Sequence, residues 1–223
     1  MIQNGATAPL RVAVVIGSTR EGRVGDAVGR WLTTRIRRRA DIEPKVIDLV
    51  DFDFPSRYPH EATGQMLAFT AQIGAADAFV VVTPEYNHSF PASLKQAIDY
   101  AYDEWQAKPV GIVSYGYRSE GLYAMEHLRT VFGELHAATM RSGVSINLLK
   151  DGFDEPSGLL NDGFDERGRP REAQGPRGSE CPRGSECPRG SECIGQEADA
   201  MLDQLTWWGL ALRDARAARP YVS

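Results

Sequence analysis

The 223-residue chain predicts a doubly wound α/β fold, a five-stranded parallel sheet with helices on both faces. Short β-branched apolar runs alternate with segments of helical periodicity, the pattern of a parallel sheet built from crossover units. The first run is continuously apolar, as suits a strand buried on both faces. The polar loops rich in glycine, proline and hydroxyls follow strands one, three and four, at the carboxyl ends where such sheets place ligands.

Leu10 to Ile16 (LRVAVVI) is the first strand, ended by Gly17. Val24 to Arg39 follows as a helix, with apolar residues at 24, 28, 31, 32 and 36. Lys45 to Val50 is the second strand and Gln65 to Ala75 the second helix. Asp77 to Thr83 is the third strand, cut off by Pro84, and Ala92 to Tyr102 is a helix entered after Pro91. Pro109 to Tyr115 is the fourth strand, and Glu120 to His136 a helix with Leu122, Met125, Leu128 and Phe132 on one face. Met140 to Leu149 contains the fifth strand. Glu197 to Ala218 closes the chain as a helix with Met201, Leu205, Trp208 and Leu212 in register. Trp207 and Trp208 read as core in preference to an oligomer contact. The run Arg35, Arg37, Arg38 and Arg39 reads as a solvated, cationic helix end.

Residues 151–194 break the plan. DGFDE occurs at 151–155 and 162–166, and PRGSEC occurs three times between Pro176 and Cys193. With few large apolar residues this stretch gains too little from burial to offset its ordering entropy, so it reads as a disordered surface insertion into a single domain. It holds all three cysteines, Cys181, Cys187 and Cys193. Their six-residue spacing is wrong for a preformed zinc site. Repeat expansion in a tolerant loop is the plainer reading, and a soft-metal or redox-active thiol tail the sharper one. With 30 acidic and 25 basic residues and net charge −5, the chain does not fit a nucleic-acid binder that relies on phosphate neutralisation. No apolar run approaches the roughly 20 residues of a membrane span. The opening MIQNGATAPLRVAVVIG lacks the pattern of a secretory leader, so a cytoplasmic location is expected.

Three loops carry candidate chemistry. After strand one, Gly17-Ser18-Thr19-Arg20-Glu21-Gly22-Arg23-Val24-Gly25 offers hydroxyls, an arginine and a helix start, which together suit a phosphate. It is neither a P-loop, since Arg23-Val24 follows Gly22, nor a dinucleotide fingerprint, since position 19 is Thr. An ordinary Ser/Thr-capped helix start is the competing reading. After strand three, Thr83 to Lys95 (TPEYNHSFPASLK) brackets two aromatics, an amide and an imidazole with prolines, a stiff loop able to hold a flat ring. After strand four, Ser114-Tyr115-Gly116-Tyr117-Arg118-Ser119 lies beside the other two. Ser119 does not make a nucleophile elbow, because position 117 is Tyr where glycine is required.

IGSTREGRVG at 16–25 and TPEYNHSFPASLKQAIDY at 83–100, with VSYG at 113–116 and EHLRTVFGELHA at 126–137, resemble the NADPH-dependent FMN reductase family of the flavodoxin-like superfamily. The resemblance implies strand order 2-1-3-4-5, FMN as cofactor and NADPH as co-substrate. It implies that Ser18, Arg20, Val24 and Gly25 hold the phosphate. Pro84, Glu85, Tyr86 and Asn87 would line the isoalloxazine ring, with Ser114, Tyr115 and Gly116 on its other edge. It further implies flavin-borne chemistry with no catalytic side chain and no metal. The acceptor would be a flavin, quinone, azo compound or metal oxyanion, and the assembly a homodimer or homotetramer. Tyr117 stands where many members carry a second glycine. The alternative within the same fold is a flavodoxin-like electron carrier or a non-catalytic FMN-binding protein.

Overall fold

The computed structural model describes residues 8–148 and 191–222. Its elements are β1 (Leu10–Ile16), α1 (Gly25–Ile36), β2 (Ile42–Asp48), α2 (Gly64–Ala75), β3 (Ala78–Pro84), α3 (Ala92–Tyr100), β4 (Pro109–Gly116), α4 (Leu122–Glu134), β5 (Ala138–Thr139), β6 (Val144–Asn147) and α5 (Ser191–Ala218). The strands lie in the order β2-β1-β3-β4-β5, with β6 also on β4, and every pairing is parallel. This is the flavodoxin-like order that the resemblance implied.

Alternation along the strands divides the core into two layers. Leu10, Val12 and Val14 of β1 pack with α1 and α5, on Val28, Leu32, Met201 and Leu205. Ala13 and Val15 face the other way, onto Phe69 and Ile73 of α2, Leu94 and Ile98 of α3, and Leu128 and Phe132 of α4. Strands β1, β3 and β4 are therefore covered on both faces, which is why they read as near-continuous apolar runs.

Of the boundaries that differ from the sequence expectation, four have a clear local reason. β2 starts at Ile42, ahead of Pro44, because an edge strand tolerates a residue without an N–H. The fifth strand is split. Val110 pairs with Thr139 and Val113 with Val144, so the edge carries two extra residues between β5 and β6. α4 starts at Leu122, because Glu120 (φ 56°) and Gly121 (φ 85°) are both left-handed. α5 starts at Ser191, ahead of Glu197, since Ile194 heads its buried stripe of Ala198, Met201, Leu202 and Leu205. Thus 191–194, expected in the insertion, belong to the helix, while 151–190 lie outside the described residues.

That stripe also corrects the tryptophan expectation. Thr206 and Gly209 continue it, and Trp207 and Trp208 point outward at 66% and 44% exposure. Gly209 is required at the contact, since a Cβ there would lie 2.4 Å from Leu10 Cδ2. The arginine run is likewise more than a solvated end. Arg35 grips Asp199 with two bonds of 2.7 Å, and Arg39 bonds Asp41 (3.0 and 2.8 Å) and Asp203 (2.6 Å), fastening α1 to α5.

At the amino-terminal edge of the sheet, the buried Asp77 carboxylate accepts from Arg11 N (3.1 Å), Nε (3.0 Å) and Nη2 (2.8 Å). Arg213 and Arg216 of α5 stand 3.8 and 4.0 Å away. Burial pushes Asp77 up, but the Arg11 bonds and charge outweigh it and hold the carboxyl below its usual range. No described helix is long and apolar enough to cross a membrane.

Nearby, Lys108 Nζ is buried and donates to the α2 carbonyls of Ile73 (3.2 Å) and Gly74 (3.0 Å), 5.5 Å from the centre of the Phe79 ring. Burial, reinforced by the Arg216 charge, lowers its pKa to about 8, against an unfolded value of 10.5. Between these values the unfolded chain binds a proton that the folded chain has released, so this group adds stability as pH rises. The denaturation midpoint of the wild type should therefore climb from pH 8 to 10.5 relative to that of Lys108→Met. Parallel profiles for the two proteins would contradict this.

Candidate functional site

Because all strands run parallel, the loops after β1, β3 and β4 leave the same edge. Gly17 N donates to Val82 O at 2.8 Å, seating the first loop against β3. Gly22 turns the chain with φ 65°. Val24 then starts α1 without any side-chain cap, so the Ser/Thr-capped reading of this loop does not hold. The first N–H groups of the helix lack that internal partner, and the macrodipole favours an anion beside them.

Ser18 is buried, and its Oγ has no hydrogen-bond partner. The Tyr115 hydroxyl, with Ser18 as its polar neighbour, makes no full hydrogen bond either. Both crowd onto Gly25, where a Cβ would lie 2.1 Å from Ser18 Oγ and 2.7 Å from Tyr115 Oη. The glycine is thus demanded by the close approach of two hydroxyls, one from the first loop and one from β4. Burial pushes the Tyr115 phenol well above its ordinary value, so it stays protonated as a donor. Ser114 Oγ, one residue earlier, is also buried without a partner.

The two arginines of the loop divide the work. Arg23 donates to Ser18 O (2.6 Å) and, as a fork, to both Asp48 oxygens (2.6 Å each) at the end of β2. Asp48 also accepts from Val50 N at 3.2 Å. Arg20 is exposed and makes no hydrogen bond or ion pair among the described residues. Thr19 donates to Ser93 Oγ (3.3 Å), which donates to Gly17 O (3.4 Å), tying the loop to the start of α3.

After β3, Pro84 stands opposite Tyr115 in the parallel register, and Glu85 N donates to Tyr115 O at 2.9 Å. Tyr86 and Ser89 then exchange backbone bonds of 2.7 and 2.9 Å around a two-residue turn. Its central residues, Asn87 (φ 51°) and His88 (φ 63°), are both left-handed, the geometry of a type I′ turn. Gly116 approaches Glu85 closely, a Cβ there falling 3.5 Å from Glu85 Cβ.

The sheet edge therefore brings Ser18, Gly25 and Tyr115 into contact, and places Pro84 and Glu85 alongside Ser114–Gly116. Val24 sits at the same helix start. Arg20 lies out on the loop, and Tyr86 and Asn87 sit in the projecting turn. The Glu85 carboxylate turns away onto α4, accepting from Ser119 Oγ (2.5 Å) and Tyr123 N (3.0 Å). Sequence reasoning did not single out Arg23 as a fastener, nor Asp48 or Tyr123. A β2-end carboxylate following a glycine loop with two arginines was the available signal for the Arg23–Asp48 pair. Nothing local marked Tyr123. Tyr117 is 57% exposed on the rim.

The family model described as NADPH-dependent FMN reductase matches residues 10–149. An NAD(P)H-dependent FMN reductase of Schizosaccharomyces pombe is 33% identical over 153 residues, covering 63% of this chain and 74% of the relative. A quinone reductase of Pseudomonas putida is 30% identical over 167 residues, covering 68% of this chain and 84% of the relative. The flavoenzyme NAD(P)H:(acceptor) oxidoreductase FerB of Paracoccus denitrificans has the same fold, with a TM-score of 0.61 over 88% of this chain and 97% of that chain at 18% identity. The matched span contains β1 to β6 and all three site loops, and by it this chain belongs to the NADPH-dependent FMN reductase family.

Proposed function

We propose that this chain is an FMN-dependent oxidoreductase that passes electrons from NAD(P)H to a small quinone-like acceptor. One observation carries the cofactor assignment. Two buried hydroxyls without partners, Ser18 Oγ and Tyr115 Oη, converge on a glycine at an uncapped helix start, with an uncommitted arginine on the same loop. Buried hydroxyls without partners are costly, and a phosphate would supply acceptors for them. The residues present therefore fit FMN.

In this reading Ser18 and Arg20 hold the phosphate, and Val24 and Gly25 shape the turn that admits it. Pro84, Glu85, Tyr86 and Asn87 line one side of the ring through the loop backbone, and Ser114, Tyr115 and Gly116 the other. Bound FMN supplies two-electron chemistry between a nicotinamide and a second substrate. The protein's own contribution is to position the ring, exclude water from its inner face and present fixed backbone dipoles at its edge. The Tyr115 phenol, held protonated by burial, keeps an O–H to donate. The quinone class of acceptor is favoured by the similarity to the quinone reductase of Pseudomonas putida.

We extend the proposal to one FMN-binding domain formed by both described stretches. It works as a cytoplasmic homodimer or homotetramer, with the exposed Trp207–Trp208 pair as a candidate contact between copies. The absence of cysteine before Cys181 suits a reducing compartment.

The assay is anaerobic NADPH oxidation by the FMN-loaded protein with a benzoquinone. Turnover is expected, and bound FMN without NADPH oxidation would instead favour a carrier. Arg20→Ala should weaken FMN about tenfold while leaving riboflavin, which lacks the phosphate, unchanged. Equal loss of both would place the phosphate elsewhere. Gly25→Ala should cost about 1–3 kcal/mol of stability by overpacking and should strip the flavin during purification. Retention of stoichiometric FMN would refute the cradle.

A further inference from the structure

The Tyr86–Ser89 turn is held in a conformation that non-glycine residues avoid. Asn87 and His88 are both left-handed, and so are Glu120 and Gly121 at the entry to α4. Such backbone persists only where surrounding contacts over-determine it. Beyond the Tyr86–Ser89 backbone bonds, the side-chain contacts of the turn run to α4. The His88 ring stacks on Tyr123 at 4.2 Å and 22°. Ser89 Oγ pairs with His127 Nδ1 at 3.0 Å. Between them stands the Glu85 carboxylate, one oxygen on Ser119 Oγ and the other on Tyr123 N.

Gly121 precedes α4 and has no side chain to cap it, so Tyr123 N is one of the orphan donors of the first turn. Glu85 satisfies that donor from another loop, and its negative charge also suits the positive end of the helix. Gly121 packs so tightly that no side chain fits there, since a Cβ would lie 2.6 Å from Ser114 Cβ and from Tyr115 N. The carboxylate, the helix start and Ser114–Tyr115 are therefore one packed unit.

We infer that Glu85 is a positioning residue: its carboxylate locks the β4–α4 loop to the Tyr86–Ser89 turn, making the two loops around the flavin ring a single rigid wall. The inference rests on the proposed function for the identity of the ring, and gives the Glu85 side chain a role through α4 beside the backbone's place along the ring. Glutamine can still offer a carbonyl to Tyr123 N, with its amide rotated towards Ser119 Oγ, so Glu85→Gln keeps most of the lock. Alanine loses both bonds.

The test compares Glu85→Ala, Glu85→Gln, Ser119→Ala and the double variant Glu85→Ala/Ser119→Ala. FMN affinity, the visible flavin spectrum and the midpoint potential of the bound flavin are measured for each. Glu85→Ala is expected to weaken FMN about tenfold and to shift spectrum and potential, and Glu85→Gln to restore most of the affinity. The double variant should be less than additive, because the Glu85–Ser119 bond is already lost in each single variant. Wild-type affinity, spectrum and potential in Glu85→Ala, or full additivity, would overturn the inference. Should Glu85→Ala fail to fold, Ser119→Ala decides it, since that variant loses the Glu85–Ser119 bond and an unchanged spectrum and potential in it would also overturn the inference. Should the wild type bind no FMN, the proposed function fails separately. The lock is then read in the flavin-free protein, where the Tyr123 amide must exchange faster in Ser119→Ala than in wild type, and equal exchange overturns it.

Discussion

The parallel pairing of β1, β3 and β4 is the constraint on which the site depends. Each of these strands is buried on both faces, so its register is fixed by packing against α1 and α5 on one side and α2, α3 and α4 on the other. A shift of one residue would exchange the two apolar layers along the whole strand. With the registers fixed, Gly17 must lie beside Val82 and Pro84 beside Tyr115. The first loop and the β4 side chains then meet over Gly25 without further choice. The hydroxyls of Ser18 and Tyr115 are side by side because the sheet leaves them nowhere else to go.

Charge pairs orient the outer parts of the molecule once apolar burial has joined them. Arg23 fastens the first loop to the end of β2, and Arg35 and Arg39 fasten α1 to α5. Asp77 gathers Arg11, Arg213 and Arg216 at the opposite edge of the sheet. Partly exposed pairs of this kind are each worth little, typically ~0–1 kcal/mol. Their effect is to fix which surface of a helix meets which neighbour, after apolar burial has brought the elements together. The same division holds at the site: packing sets the strands, and polar bonds from Glu85, Arg23 and Ser93 set the loops.

This division explains what could be read from the sequence. The apolar runs at Leu10–Ile16, Asp77–Thr83 and Pro109–Tyr115 announced buried parallel strands, and the loops between them announced the candidate site, because periodicity and turn chemistry are local. The pairing of Arg35 with Asp199 spans 164 positions and has no local signature. The outward turn of Trp207 and Trp208 followed from a shift of the α5 stripe that only the contact of Gly209 with Leu10 reveals. Glu85 was legible as a loop carboxylate at the ring edge. Its commitment to α4 was not, because Ser119 and Tyr123 reach it through the tertiary fold.

The most direct test of the account is a crystal structure of the protein grown with FMN. The phosphate is expected within hydrogen-bond reach of Ser18 Oγ and the Arg20 guanidinium, with the ring between residues 84–87 and 114–116. A phosphate bound away from the 17–25 loop, or a ring seated outside those two stretches, would contradict the account.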